Sequence, residues 1–364
     1  NVTESPLWTV ADTNIGLTFH ELGELIAALF AGIAIFISCF LIFGHATHYS
    51  RPGEQRHIIR ILFMIPMYAT VSLLSFHFYK NHIYYEVIRD CYEAFAISSF
   101  FHLLCHYIAP TLHEQKEYFR GIEVKNWWWP MTWVQKCTGG MEKGLFRRPR
   151  SGLTWFNIIW TAVFQYCFIR VFFTIVSVIA QATDTLCEGS HSPAFAEIYI
   201  ETFEAIAVTI AMYCLIQFYV QLKEDLAPHK PFLKVLCIKL VIFFCFWQTF
   251  VIDWLTGNNT IKSSPKVAYA DIKVGIPAML ICVEMAIFSV MHVFAFSWKE
   301  YITTKEPTYG PGAGFGAADG YKGGPMGIKA LIDAFNPWDI VKAFARGMRW
   351  LFVGSRRRHT DSSY

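Results

Sequence analysis

Long apolar runs, each near the length needed to cross a bilayer, alternate with shorter polar stretches along this chain. Seven can be drawn, at roughly 22–44, 58–80, 91–111, 155–182, 196–222, 232–255 and 270–298. Each can cross about 30 Å of hydrocarbon as a helix, the open-chain structure that satisfies its own backbone there. The fourth and seventh are long, so they tilt or protrude. The third is the weakest, because it carries Glu93, His102 and His106. The pattern predicts an all-α polytopic membrane protein, a seven-transmembrane-helix bundle. If the third run is not a span, the two ends of the chain lie on the same side.

Composition agrees. Hydrophobic residues make up 54% and charged residues 16%, against about 25% charged in an average soluble protein. This excludes a soluble enzyme with a single core, and it excludes disorder. The net charge of +3 gives no reason to expect a nucleic-acid partner. The placement of the charges says more. The segment before the first run has no Lys or Arg, and neither does 183–195. The 112–153 loop carries Lys116, Arg120, Lys125, Lys136, Lys143, Arg147, Arg148 and Arg150, and the tail beyond 298 is equally basic. With seven spans both basic segments fall on one side. The positive-inside rule then puts the N-terminus outside or lumenal and the C-terminus in the cytosol. Two sequons, at Asn1 and Asn258, fall on the outer side and are glycosylation candidates. Asn258 lies close to a membrane end, which disfavours its use. The chain opens without Met, so the numbering starts in a trimmed or processed chain and a lost leader stays open.

The ten cysteines are no disulfide framework in a chain this long. Cys91 starts the third span at the outer surface, and Cys187 lies in the outer loop between spans four and five. A bond between them would tie that loop to the bundle. Two free thiols are the alternative, since their separation decides. Cys137 follows Trp127, Trp128, Trp129 and Trp133, a cluster suited to the headgroup level. It is a palmitoylation candidate.

Ionisable groups inside spans cost several kcal/mol unless paired or facing a watery cavity, roughly 3 kcal/mol each on insertion scales. Arg170 and Glu284 lie near the middles of spans four and seven. Lys239, Gln248 and Asp253 lie on span six. Glu197, Glu201 and Glu204 share one face of span five, and Glu93, His102 and His106 lie on span three. As a group they suggest a polar pathway or binding cavity lined by spans three to seven. Structural ion pairs such as Arg170–Glu284 are the competing reading for any one residue. His102 and His106 have metal-ligand spacing, but nothing nearby completes a site, and no metal or other cofactor is expected. There is no phosphate-binding loop, dinucleotide fingerprint, HExxH or GxSxG elbow, so no enzyme is expected.

Several segments together resemble one family: PGEQRHIIRILFMIPMYA at Pro52–Ala69, RDCYEAF at Arg89–Phe95, AMYCLIQFY at Ala211–Tyr219, KLVIFFCFWQ at Lys239–Gln248 and ICVEMAIFSVMHVFAF at Ile281–Phe296. The pattern is similar to the organic solute transporter alpha and transmembrane protein 184 family, also known as domain of unknown function 300, over about residues 20–301. The resemblance implies a seven-helix bundle with an outside N-terminus. Its founding members look like facilitative carriers of amphipathic anions that work with a single-span beta subunit. Residues matching the family pattern are Glu54, Gln55, Arg56, Arg60, Pro66, Arg89, Asp90, Glu93, Lys239, Gln248, Glu284 and His292. Many relatives have a basic residue followed by Pro in span four, where this chain has Arg170-Val171. On this reading Arg170, Lys239, Glu93, Glu204, Glu284, Gln248, His102 and His292 bind a solute that is an amphipathic organic anion or a lipid. Substrate, direction, need for a second subunit and homo-oligomeric state stay open.

The chain divides into an outer segment 1–21, the transmembrane domain 22–301, a Gly/Pro-rich linker 302–328 and a tail 329–364. Asn336-Pro337-Trp338-Asp339 looks like a helix start, with Asn as the N-cap and Pro first. The helix runs to about Val353. Phe335, Trp338, Val341, Ala345, Met348 and Phe352 fall on one face; Lys342, Arg346 and Arg349 fall on another. Such a helix suits the surface of an anionic cytosolic leaflet, with Arg356–Arg358 adding charge. Trp338-Asp339-Ile340-Val341 also resembles the short motif bound by ubiquitin-like autophagy modifiers that become coupled to lipid. The fungal branch of the family, which the tail composition resembles, is associated with vacuolar membranes and such modifiers. Two functions from different classes follow: a membrane carrier, or a vacuolar or other endomembrane scaffold that recruits a modifier through Trp338 and Val341.

Overall fold

The computed structural model describes residues 8–9, 16–138, 140, 148–149, 151–183, 185–186, 194–227, 233–234, 236–237, 240–241, 244, 248, 251–252, 255, 267–268, 271–302 and 321–349. Asn1, Cys187, Lys239, Asp253, Asn258 and Arg356–Arg358 lie outside these residues, as does most of the expected sixth span. The described helices are α1 (Phe19–Thr47), α2 (Pro52–Leu62), α3 (Met64–His77), α4 (His82–Ile108), α5 (Leu112–Gly121), α6 (Met131–Cys137), α7 (Gly152–Ala182), α8 (Glu197–Gln221), α9 (Lys223–Leu226), α10 (Ile276–Ala295), α11 (Ile328–Phe335) and α12 (Trp338–Arg349). A two-residue ladder pairs β1 (Trp8–Thr9) antiparallel with β2 (Gly16–Leu17).

Among the described residues five helices are long and apolar enough to cross a membrane: Phe19–Thr47, Pro52–His77, Gly152–Ala182, Glu197–Gln221 and Asp271–Tyr301. A sixth arises only if Tyr79–Ile108 and Leu112–Gly121, bent by 71°, count as one crossing. That bent pair covers the run that was weakest in the sequence. Its break falls at Pro110, and Thr111 restarts the chain as a new helix with a reciprocal cap to Glu114.

The chain forms two compact units, Asn1–Glu93 with Phe232–Ala334, and Ala94–Pro231 with Phe335–Tyr364. In the first unit α1, α3 and α10 pack on one another. The N-terminus of α1 is closed by Thr18, whose hydroxyl accepts from the Glu21 N–H at 3.2 Å while the Glu21 carboxylate accepts from the Thr18 N–H at 2.9 Å. Its inward face is small, with Gly23, Ala27, Ala31, Ala34 and Ser38 buried, while Leu25 is 64% and Phe36 75% exposed. Small side chains inside and large ones outside is the order for a helix solvated by lipid: hydrocarbon removes the hydrophobic drive, and close backbone approach supplies van der Waals contact instead. The α2–α3 crossing breaks at Phe63. Pro66 has no N–H to offer the Leu62 carbonyl and its ring crowds that carbonyl, which interrupts the ladder there.

The turn after α1 is held by one amide. Gln55 Oε1 accepts from the Ser50 and Arg51 N–H groups, both at 2.8 Å, and its Nε2 donates to the His48 carbonyl at 2.8 Å. Tyr301 donates to Glu54 at 2.9 Å, and the fully buried Arg60 donates through Nε to the Ala334 carbonyl. Tyr49 donates to Asp333 at 2.6 Å. Burial and that carboxylate push the Tyr49 hydroxyl well above its usual range, so it stays a donor. The described end of the Gly-rich segment joins this junction, with the Lys322 N–H on the Tyr49 carbonyl at 2.8 Å. Gly327 has φ +79° and a Cβ there would lie 2.7 Å from that of Ala46, so this position requires glycine twice over.

In the second unit α7 and α8 run antiparallel, tied by Gln165 Nε2 donating to the Ala207 carbonyl at 3.0 Å and by Phe173 stacked on Phe203 at 5.4 Å. Gln217 and Gln221, one turn apart on α8, clamp the extended segment 123–128. Each accepts one backbone N–H (Trp128 at 2.9 Å, Lys125 at 2.8 Å) and donates to one carbonyl (Asn126 at 3.3 Å, Glu123 at 2.9 Å). The clamp sets out Trp128, Trp129 and Trp133 as exposed rings next to the exposed Cys137. α5 stacks Phe119 on Phe156 at 4.2 Å. This close approach needs Gly152, where a Cβ would lie 2.1 Å from the Phe119 carbonyl oxygen. Gly152→Ala is expected to cost about 1–3 kcal/mol of stability, read as a lower unfolding midpoint of the purified protein in detergent. Gly121→Ala, where a Cβ meets nothing within 4 Å, leaves the midpoint unchanged.

Candidate functional site

The intramembrane polar residues separate into four groups. In the second unit Arg170 on α7 forms an ion pair with Glu204 on α8, and both side chains are about five-sixths buried, at 15% and 16% exposure. The pair lies between the Gln165–Ala207 and Phe173–Phe203 contacts, so the antiparallel register of the two spans delivers one to the other. The sequence offered Glu284 as a structural partner for Arg170; Glu204 takes that place. His102 is a core histidine. It is buried with its ring edge-on to Trp160 and Phe164, at 5.3 Å and 4.9 Å, and Nδ1 meets the Ser98 carbonyl at 3.2 Å.

In the first unit Glu93 accepts from the Tyr68 hydroxyl at 3.2 Å, and the Arg89 guanidinium lies 6.0 Å from the Tyr68 ring centre. Arg89 also holds Asp90 at 3.2 Å. This is a polar cluster of one guanidinium, two carboxylates and a hydroxyl between α3 and α4. Tyr68, its hub, went unmarked in the sequence because it sits in an apolar run.

The fourth group lies on α10 and on the described residues before it. Phe244 and Phe288 meet at 6.1 Å between ring centres. Gln248 follows Phe244 by four and Glu284 precedes Phe288 by four. Among the described residues, both amide atoms of Gln248 and one carboxylate oxygen of Glu284 are buried without a hydrogen-bond partner. His292, two turns further along α10, gives Nδ1 to the Phe288 carbonyl at 2.7 Å while Nε2 is buried without a partner among the described residues. Ser72 and Ser75 on α3 have buried hydroxyl oxygens in the same state. Buried polar groups without partners cost free energy, about 1–3 kcal/mol each in protein mutational data, so this group has unfilled hydrogen-bonding capacity among the described residues. Among the described residues no three His, Cys, Asp or Glu side chains could hold a metal ion.

The profile of a family described as organic solute transporter Ostalpha matches residues 23–301, the whole span of these groups. The chain belongs to this family. Among curated proteins it is similar to a transmembrane protein 184 homolog of Dictyostelium discoideum, 33% identical over 306 residues, which is 84% of this chain and 56% of that protein. The chain thus spans little more than half the length of that relative. No solved structure matches. Within this family member the residues of the shared pattern divide by role. Glu54, Gln55 and Arg60 build the junction described above and Pro66 interrupts α2–α3, whereas Gln248, Glu284 and His292 carry the unsatisfied atoms.

The tail helix begins as its sequence requires. Asn336 Oδ1 accepts from the Trp338 N–H at 3.1 Å, and the Val341 N–H reaches the Pro337 carbonyl at 3.2 Å. Its buried face is Ile340, Ala343 and Gly347, while Trp338 is 58% and Val341 49% exposed. The apolar face read from the sequence is thus the one α12 leaves uncovered. Arg346 is separated from Lys342 and Arg349. Its guanidinium lies 3.4 Å from the ring centre of Trp160, and burial lowers its pKa to about 10, still a cation at neutral pH.

The ion pair generates a test. Arg170→Gln leaves Glu204 buried without its cation and is expected to destabilise the purified protein by about 3 kcal/mol. Arg170→Gln with Glu204→Gln recovers most of that loss in the same thermal unfolding experiment. A double variant as unstable as the sum of the two singles contradicts the pairing.

Proposed function

We propose that this chain is a facilitative membrane carrier of amphipathic organic anions or lipid-like solutes. The family is one of membrane solute transporters. The observation that carries the reading is that Gln248, Glu284 and His292, in apolar stretches of the chain, have buried donors and acceptors left over among the described residues. A solute with polar groups on an apolar body would satisfy those atoms. On this proposal Gln248, Glu284 and His292 hydrogen-bond the polar end of the solute. Lys239 and Arg170 supply positive charge, Arg170 by exchanging Glu204 for the solute anion, and Glu93 sets local polarity. The proposal includes seven crossings, the bent pair and 232–255 being counted among them. It also includes an outer N-terminus, a cytosolic tail and residence in a vacuolar or other endomembrane; the asymmetry of Lys and Arg between loops supports the orientation.

A second reading is a scaffold that binds a lipid-coupled ubiquitin-like modifier through Trp338 and Val341. Their joint exposure in the first turns of α12 supports it. The two readings part experimentally. In proteoliposomes, Glu284→Gln and Gln248→Ala are each expected to lower the initial rate of steroid sulfate uptake at least about tenfold, equal to about 1.4 kcal/mol. Removal of residues 336–364 leaves that rate intact. The scaffold reading requires the reverse: unchanged uptake in the span variants, and loss of modifier capture in Trp338→Ala.

A further inference from the structure

The docking of α12 on α7 has features that neither helix needs for packing. Trp160 Nε1 donates to the Ala343 carbonyl at 3.0 Å, Phe344 stacks on Phe168 at 4.7 Å, and Arg346 covers the Trp160 ring. Two polar atoms are sealed in this seam without a partner among the described residues: Nη2 of Arg346 and the hydroxyl oxygen of Thr161, which lies against Gly347. A cationic donor and a hydroxyl, both buried and both unfilled, call for an anionic oxygen.

The seam also sits at a boundary along α7. Its buried residues run from Gly152 to Tyr166 and resume only at Ala180. From Phe168 the helix shows an outward stripe, with Phe168, Phe172, Ile175 and Ile179 all more than half exposed. Those positions recur at i, i+4, i+7 and i+11, one face of a helix. In a membrane-crossing helix that face meets acyl chains. Phe344 stacks on its first member, where the protein-covered part ends. The exposed side of α12 continues this apolar surface through Met348, Val341, Ala345 and Trp338. Lys342 and Arg349 border it, the Lys342 ammonium 5.8 Å from the Trp338 ring centre.

We propose that the seam between α12 and α7 binds the headgroup of an anionic phospholipid, with α12 lying in the membrane interface. Arg346 and the Thr161 hydroxyl meet phosphate oxygens, Lys342 and Arg349 meet neighbouring anionic headgroups, and Trp338, Val341 and Met348 enter the acyl boundary. The continuity with the lipid face of α7 selects a lipid over a soluble anion or a protein as the occupant.

The test uses the full chain with a benzophenone amino acid at Val341, purified into vesicles of phosphatidylcholine alone or with phosphatidylserine. Lipid adducts are counted by mass spectrometry after illumination. Adducts are expected at Val341 and not at a control label on Glu224 in α9, with yield raised by phosphatidylserine. Each of Lys342→Ala and Arg349→Ala is expected to lower that rise about fivefold, the equivalent of about 1 kcal/mol per basic residue. Arg346→Gln removes selection for phosphatidylserine adducts over phosphatidylcholine adducts. Three outcomes overturn the proposal. One is a yield at Val341 no higher than at Glu224. Another is loss of the phosphatidylserine effect on adding inorganic phosphate, which assigns the seam to a soluble anion. The third is an adduct with a protein in native membranes that displaces the lipid adduct. Because Lys342 and Arg349 lie outside the docking contact, their variants report even if Arg346→Gln loosens α12.

Discussion

Hydrocarbon gives helices no reason to hide apolar side chains from it, and most of this structure follows from that constraint. Association must come from close approach, so α1 turns Ala27, Ala31 and Ala34 inward and leaves Leu25 and Phe36 outside. The same constraint forces every backbone break to find partners. The turn after α1 is served by Gln55, and the extended segment before α6 is served by Gln217 and Gln221. An uncharged amide suits this work, since it donates and accepts at once and brings no charge into a dry region. The bundle is therefore built largely from small contacts and local amides, with buried charges such as Arg60 and the Arg170–Glu204 pair added at single points.

Against that background the leftover polar atoms stand out. Arg170 pairs with Glu204, and Glu93 accepts from Tyr68. Gln248, Glu284 and His292 keep buried atoms without a hydrogen-bond partner among the described residues. The buried carboxylate oxygen of Glu284 and the buried amide of Gln248 hold no other group among the described residues. Unfilled hydrogen-bonding capacity of this kind is what a passing solute with a polar end would use. The tail seam repeats the logic at the membrane surface, where Arg346 and Thr161 are enclosed but unfilled.

Much of this was legible in the sequence. Apolar length located the five long apolar helices among the described residues to within about two turns, and the 91–111 run, the weakest in the sequence, falls in the pair of helices bent by 71° at Pro110. Asn336-Pro337 marked the start of the tail helix because a cap is local chemistry. Three things were not legible, each for a physical reason. A helical projection finds apolar faces but cannot tell protein from lipid, so the buried face of α12 proved to be Ile340, Ala343 and Gly347. The partner of Arg170 depends on the register of two spans joined by a long loop, which local patterns do not encode. The roles of Gln55, Gln217 and Gln221 depend on irregular backbone passing nearby, and nothing in their own neighbourhood announces it. Among the residues named for a solute site, the sequence marked Gln248 and Glu284 as polar and in apolar runs, but which of their atoms are left without partners required the structure.

On the function proposed above, the chain is a facilitative carrier of an amphipathic organic anion. Counterflow tests this most directly: purified protein in proteoliposomes preloaded with unlabelled steroid sulfate, then given a trace of labelled steroid sulfate outside. A carrier that works in this way gives a transient overshoot of label above its equilibrium level, absent from protein-free vesicles. Label that only rises to equilibrium, at the same rate with or without preload and with or without the folded protein, would contradict the account.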